Sequence, residues 1–162
     1  MLINYEANTI GYLDITFGPK WDYIPLTKNF IENFLLVNVV DRKSISKIAM
    51  SASELLENAV KFSNSDGIRM MIRKMGKKKL IELKVYNYIQ QKDVDALLAR
   101  IDDMNKSDPL QYYITKMKES VARKDGKSGL GLARIRYEGE ADIICRYLKE
   151  NKAVEFTVRF GV

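Results

Sequence analysis

The apolar positions change period along the chain, and each change marks an element. Residues 10–17 alternate, with Gly11, Leu13, Ile15 and Phe17 set against Ile10, Tyr12, Asp14 and Thr16; this predicts a strand ended by Gly18-Pro19. From Trp21 to about Val40 the apolar residues recur at helical spacing, with Pro25 in the first turn, where a helix tolerates it. Asp41 or Ser44 is positioned to cap a second helix running to about Ser63, whose stripe is Ile45, Ile48, Ala49, Ala52, Leu55, Leu56 and Ala59. Asn64-Ser65-Asp66-Gly67 reads as a turn, and strands near 68–74 and 79–87 form a hairpin. Helical segments near 92–105 and 109–123 flank Ser107-Asp108-Pro109; a loop follows from Lys124 to Gly131, then a short helix from about Leu132. Strands near 142–148 and 153–160 close the chain, with Val154, Phe156, Val158 and Phe160 on one face.

Helices and hairpin strands arrive in blocks rather than in strict alternation. That order predicts an α+β fold, a two-layer sandwich whose mixed or antiparallel sheet is covered on one face by helices. The 162 residues are expected to form a single domain, 1–162, with no repeat or linker.

Composition narrows the chemistry mainly by exclusion. No histidine is present, which removes Ser-His catalysis, His-ligated zinc and a phosphohistidine relay within the chain. A lone Cys145 cannot form an internal disulfide and sits in an apolar stretch, so a buried, inert thiol in a reducing cytoplasm is expected. No apolar run reaches membrane-spanning length, and the first residues lack the pattern of a signal peptide, so a cytoplasmic location and no membrane partner are expected. Net charge is +6, but the densest cluster, Arg73-Lys74-Met75-Gly76-Lys77-Lys78-Lys79, lies where a hairpin turn is expected. It has no interleaved aromatics for base stacking, so no nucleic-acid partner is expected.

Three features carry chemistry. Glu54 and Asn58 are four residues apart on the polar side of the second helix, and Lys61 continues that stripe. A carboxylate there suits proton acceptance, an amide oxygen suits Mg²⁺, and an ammonium offsets phosphate charge. Glu57 lies near the same face and is the rival base. The plainer reading of the stripe is the solvated side of an amphipathic helix. Gly126-Lys127-Ser128-Gly129-Leu130-Gly131 places three glycines before a helix, which suits close backbone approach to phosphate or, equally, a flexible connection. It has neither Walker spacing nor a preceding strand for a dinucleotide fingerprint. Asn87 shares the buried face of its strand with Ile81, Leu83 and Val85 and needs a partner, either a base edge or a turn backbone group.

In this order the segments resemble the GHKL ATP-binding fold of histidine kinases, anti-sigma-factor serine kinases, gyrase and MutL. Glu54-Leu-Leu-Glu-Asn58-Ala-Val-Lys61 is similar to the family's N-box, and Ser128-Gly129-Leu130-Gly131-Leu132 to its second glycine box. The resemblance implies Glu54 as base and Asn58 as Mg²⁺ ligand. It also implies ATP as nucleotide, with Gly129 and Gly131 on its phosphates. The family's first glycine box is missing: Asn87-Tyr88-Ile89-Gln90-Gln91 stands there, with Asn87 in place of the adenine-binding Asp and neither glycine present. With no phosphoacceptor histidine, the chain looks more like the stand-alone partner-switching regulators. These are the RsbW/SpoIIAB anti-sigma serine kinases and, around Ala99–Pro109, the SiaB-like kinases. The resemblance implies a Mg-ATP-dependent serine/threonine protein kinase. Its partner would be a protein, either an antagonist of the anti-anti-sigma type or a sigma-like factor. A degenerate, nucleotide-free binding module is the alternative, and a homodimer stays open.

Overall fold

The computed structural model describes residues 9–38, 41–63, 66–75, 79–125 and 129–162, the side chains of 9–12 excepted. Five strands form one sheet: β1 (Thr9–Phe17), β2 (Ile68–Met75), β3 (Leu80–Tyr88), β4 (Ile143–Leu148) and β5 (Ala153–Gly161). Their order is β1-β2-β3-β5-β4, and each neighbouring pair is antiparallel, so the sheet is antiparallel rather than mixed. The closing hairpin docks with β5 inward, against β3, and leaves β4 at the edge.

The period of two explains the layer. Leu13, Ile72, Leu83, Val158 and Ile143 are successive cross-strand partners and cross all the strands as one buried row. The parallel row Met70, Val85 and Phe156 is buried beside it. The opposite face is polar and charged. There Glu82 sits between Arg73 and Arg159, with Nε–O distances of 2.9 Å to each, and Arg69 pairs with Asp14 at 2.6 Å.

Helices cover the apolar face. They are α1 (Tyr23–Asn38), α2 (Arg42–Phe62), α3 (Gln91–Lys106), α4 (Pro109–Ala122) and α5 (Leu130–Tyr137). Of the two cap candidates for α2 the structure selects Asp41, whose Oδ1 accepts from the Ser44 amide at 2.8 Å. α2 is the central helix: it contacts α1, α5 and β3, and the stripe read from the sequence is buried in full. Each fully buried leucine such as Leu55 or Leu56 contributes about 2 kcal/mol of transfer free energy. No described helix is long and apolar enough to cross a membrane.

Three expectations shift at their ends. α1 begins at Tyr23, with Trp21 and Asp22 in the preceding turn, and β4 begins at Ile143. The last helix starts at Leu130 rather than near Leu132, so Gly131 belongs to its first turn and not to the loop. The cause is Gly129, whose φ of 75° lies in the left-handed region open to glycine; it turns the chain abruptly and the helix starts at once. Glycine's low helix propensity makes position 131 read as loop from sequence. Asn64 and Ser65 of the expected turn, Gly76–Lys78 of the basic cluster, and Val39 and Val40 lie outside the described residues. Cys145 is partly covered on β4 rather than fully buried, and burial pushes its thiol up to about 12.

Candidate functional site

The exposed flank of α2 and the first turn of α5 face each other across a cavity of about 390 Å³. Helical spacing stacks Glu54, Asn58 and Lys61 along the α2 wall, with Glu57 beside them. The facing wall is Gly129, Leu130, Gly131 and Arg134; Tyr113 of α4 and Glu138 close one side. The structure thus brings together Glu54, Asn58, Lys61, Gly129, Leu130 and Gly131. Gly126 and Ser128 lie outside the described residues.

The approach of the two helices depends on glycine at both ends of α5. A Cβ at Gly131 would lie 2.5 Å from Glu54 Oε2, so the carboxylate rests against the bare α-carbon. At the far end a Cβ at Gly139 would run into the Ile135 carbonyl and come within 3.1 Å of Ser51 Oγ on α2.

Glu54 is already engaged. Its Oε1 accepts from Arg134 Nη1 at 3.0 Å, and Arg134 Nε donates to Glu138 Oε2 at 3.0 Å. The Tyr113 hydroxyl donates to Glu138 Oε1 at 2.8 Å, and its ring stacks on Tyr137 at 5.3 Å. Partial burial works against the Glu138 charge, but Tyr113 and Arg134 together hold its pKa below the usual carboxylate value. Glu57 is the contrast. Burial first, and the Glu54 charge second, push its carboxyl above the ordinary value. The side chains of Glu57, Asn58 and Lys61 make no hydrogen bond or ion pair with another described residue.

The donor set fits a magnesium nucleotide in two respects. The oxygens facing the cavity are hard carboxylate and amide oxygens, the kind Mg²⁺ takes alongside phosphate and water. The cradle at Gly131 is one that any Cβ would fill. Among the described residues no group of three or more acidic, cysteine or histidine side chains converges as a self-sufficient metal cage, so Asn58 would hold a metal only together with bound phosphate.

Asn87 is buried as expected, and its Nδ2 donates to the Tyr88 carbonyl at 3.1 Å. Its Oδ1 has no partner among the described residues, and the residue does not line the α2–α5 cavity. The residues after it, Tyr88 to Lys92, line a separate cavity of about 490 Å³ with Tyr147, Lys149 and Lys152. Its lining holds no carboxylate; the polar groups there are the amides of Gln90 and Gln91, two tyrosines and three lysines.

Sequence reasoning gave no role to Arg134, Glu138 or Tyr113. The i,i+4 spacing of Arg134 and Glu138 was a readable signal for their pairing. Nothing local marks Tyr113, which reaches the site only because α4 packs on α5.

A scan against protein families finds no match, and no curated protein matches the sequence. Among solved structures the chain is similar to one in the crystal structure of the SiaB-SiaC complex from Pseudomonas aeruginosa. The TM-score is 0.67 at 15% identity, over 94% of this chain and 89% of that one. At that identity the likeness is one of fold, and it spans nearly the whole of both chains.

Proposed function

We propose that this chain is an ATP-binding regulator of the partner-switching type, a Mg-ATP-dependent kinase acting on serine or threonine of a protein partner. One observation carries the reading: Glu54, Asn58 and Lys61 of α2 converge with Gly129–Gly131 at the start of α5 on one cavity. A fold shared with a chain from a complex of two proteins supports the protein partner, whether an anti-anti-sigma-type antagonist or a sigma-like factor.

In this reading the partner's hydroxyl oxygen bonds to the terminal phosphorus of ATP as the bond to the bridging oxygen breaks, and ADP leaves. Bound Mg²⁺ would neutralise charge on the phosphate oxygens. Glu54 accepts the hydroxyl proton, which is general-base catalysis worth roughly 10²- to 10⁴-fold in rate. Asn58 would hold the metal by its amide oxygen, and Lys61 would supply a positive charge on the cavity wall. Gly129 and Gly131 let the backbone approach the phosphates.

The second reading, a nucleotide-free binding module, is favoured by residues 87–91. They lack glycine, and Asn87 stands apart from the cavity. Thermal melting of wild type and Asn58→Ala with and without Mg-ATP separates the two. The kinase reading expects ligand at a hundred times its dissociation constant to stabilise the wild type by about 2.7 kcal/mol, and the variant much less. A melting curve of the wild type unmoved by millimolar Mg-ATP leaves the binding module.

A further inference from the structure

Arg134 stands in the first turn and a half of α5, and helical side chains lean toward the N-terminus of their helix. Its guanidinium therefore reaches back past Gly131 into the cavity and meets Glu54 at 3.0 Å. The two edges of the guanidinium are held differently. Nε is fixed on Glu138, itself locked by Tyr113, whereas Nη1 points at the cavity and rests on Glu54 alone. The Arg134 side chain is 43% exposed and that of Glu54 18%, so water screens the guanidinium end of the pair and a competing anion can reach it there. The planar fork that grips a carboxylate grips a phosphate equally well. The other charges near this point are Glu57 and Lys61, which attract one another but make no hydrogen bond or ion pair with a described residue, and Arg100, whose guanidinium would lie 4.0 Å from a Cβ at Gly129.

We propose that Arg134 is a phosphate-binding residue of this cavity, one that lets go of Glu54 to hold the terminal phosphate of a nucleoside triphosphate. The inference rests on the nucleotide reading above and adds an order of events. Before nucleotide binds, the carboxylate is occupied by Arg134 and shielded by Gly131. Once Arg134 is on phosphate, Glu54 has an oxygen free for a proton. Glu138 and Tyr113 keep the guanidinium anchored at Nε through the exchange, so only its outer edge has to move.

Calorimetric titration of Mg-ATP and of Mg-ADP into wild type, Arg134→Ala, Arg134→Lys and Glu54→Gln tests this, with a melting curve on each variant. Wild type is expected to prefer Mg-ATP. Arg134→Ala should lose about 10- to 100-fold in affinity for Mg-ATP, the effect of losing a charge-assisted hydrogen bond, and keep its affinity for Mg-ADP. Arg134→Lys should fall between, since it keeps the charge and loses the fork. Glu54→Gln should bind Mg-ATP several-fold more tightly, because the competing anion is gone. Equal losses for both nucleotides in Arg134→Ala, or weaker Mg-ATP binding in Glu54→Gln, would mark Arg134 as a structural clamp and overturn the proposal. If Arg134→Ala does not melt cooperatively, Arg134→Lys and Glu54→Gln still carry the contrast. Wild type that binds neither nucleotide overturns the nucleotide reading as well, whereas wild type that binds Mg-ATP with Arg134 variants unchanged overturns this inference alone.

Discussion

The outer face of the sheet and the α2–α5 cavity both set carboxylates among cations, but they spend them differently. On the sheet face every acidic group is met across the neighbouring strand. Glu82 lies between Arg73 and Arg159, and Glu155 between Lys84 and the Tyr86 hydroxyl. Both carboxylates are nearly inaccessible to solvent, and both titrate below their ordinary value, because the partners overcome the burial that alone would raise them. In the cavity the carboxylates paired among the described residues are Glu54 and Glu138, and both share Arg134. Glu57, Asn58 and Lys61 line the cavity without a hydrogen bond or ion pair to a described residue, and burial and the Glu54 charge push the Glu57 carboxyl above its ordinary value. A satisfied charge cluster fixes register; an unsatisfied one has its interactions still to make, which is the mark of a binding surface.

Removing a carboxylate from each region should therefore have opposite effects. The largest change in stability is expected from Glu82→Ala, which strands two arginines and should cost about 2 kcal/mol in urea unfolding, with Mg-ATP affinity unchanged. Gly139→Ala tests the junction of the regions. Its Cβ would meet the Ile135 carbonyl of α5 itself and press on Ser51 Oγ of α2, so the end of α5 must rearrange, a loss of about 1.5 kcal/mol accompanied by weaker nucleotide binding. Asn58→Ala is expected to change stability by less than about 0.5 kcal/mol while abolishing most of the Mg-ATP-induced shift in melting temperature. The smallest effect has the opposite sign: Glu57→Gln should raise the melting temperature by about 1 °C at pH 7, after allowance for solvent screening.

Acid titration sharpens the contrast. Glu82 and Glu155 have native values below the ordinary 4.5, so their contribution is complete above that value and is lost as pH falls through the native values. Glu57 has a native value above 4.5, so its ionisation cost appears as pH rises from 4.5 through that value. The stabilising effect of Glu57→Gln should accordingly vanish near pH 4, while the cost of Glu82→Ala shrinks below it. Melting temperatures of both variants across pH 3–8 check this; a pH-independent benefit of Glu57→Gln would contradict it.

Much of this architecture was legible because periodicity reports burial directly. The α2 stripe and the inward row of β3 needed no tertiary information, and the convergence of Glu54, Asn58 and Lys61 follows from helical spacing. The sheet order was not legible: an alternating hairpin fits either way round, and only the packed structure puts β5 against β3. Asn87 was readable as a buried polar group but not as one separate from the α2–α5 cavity, since the direction of the chain after β3 depends on how α3 docks. Arg134 stood in plain view beside the glycines, yet nothing in its neighbours says that it crosses to Glu54, because that contact belongs to how α5 lies on α2.

That crossing joins residues 80 apart in the chain. Closing so long a loop is entropically unfavourable until the intervening elements are in place, so the contact belongs to the end of folding rather than its start. α2 and the β2–β3 hairpin can form from local contacts, but the opposite wall of the cavity arrives only when α5 docks and the β4–β5 hairpin adds to β3. A partly folded chain thus carries one wall of the site and no cavity. In refolding, a signal from bound nucleotide should trail helix formation and track the slowest structural phase, so that ligand competence reports a finished protein.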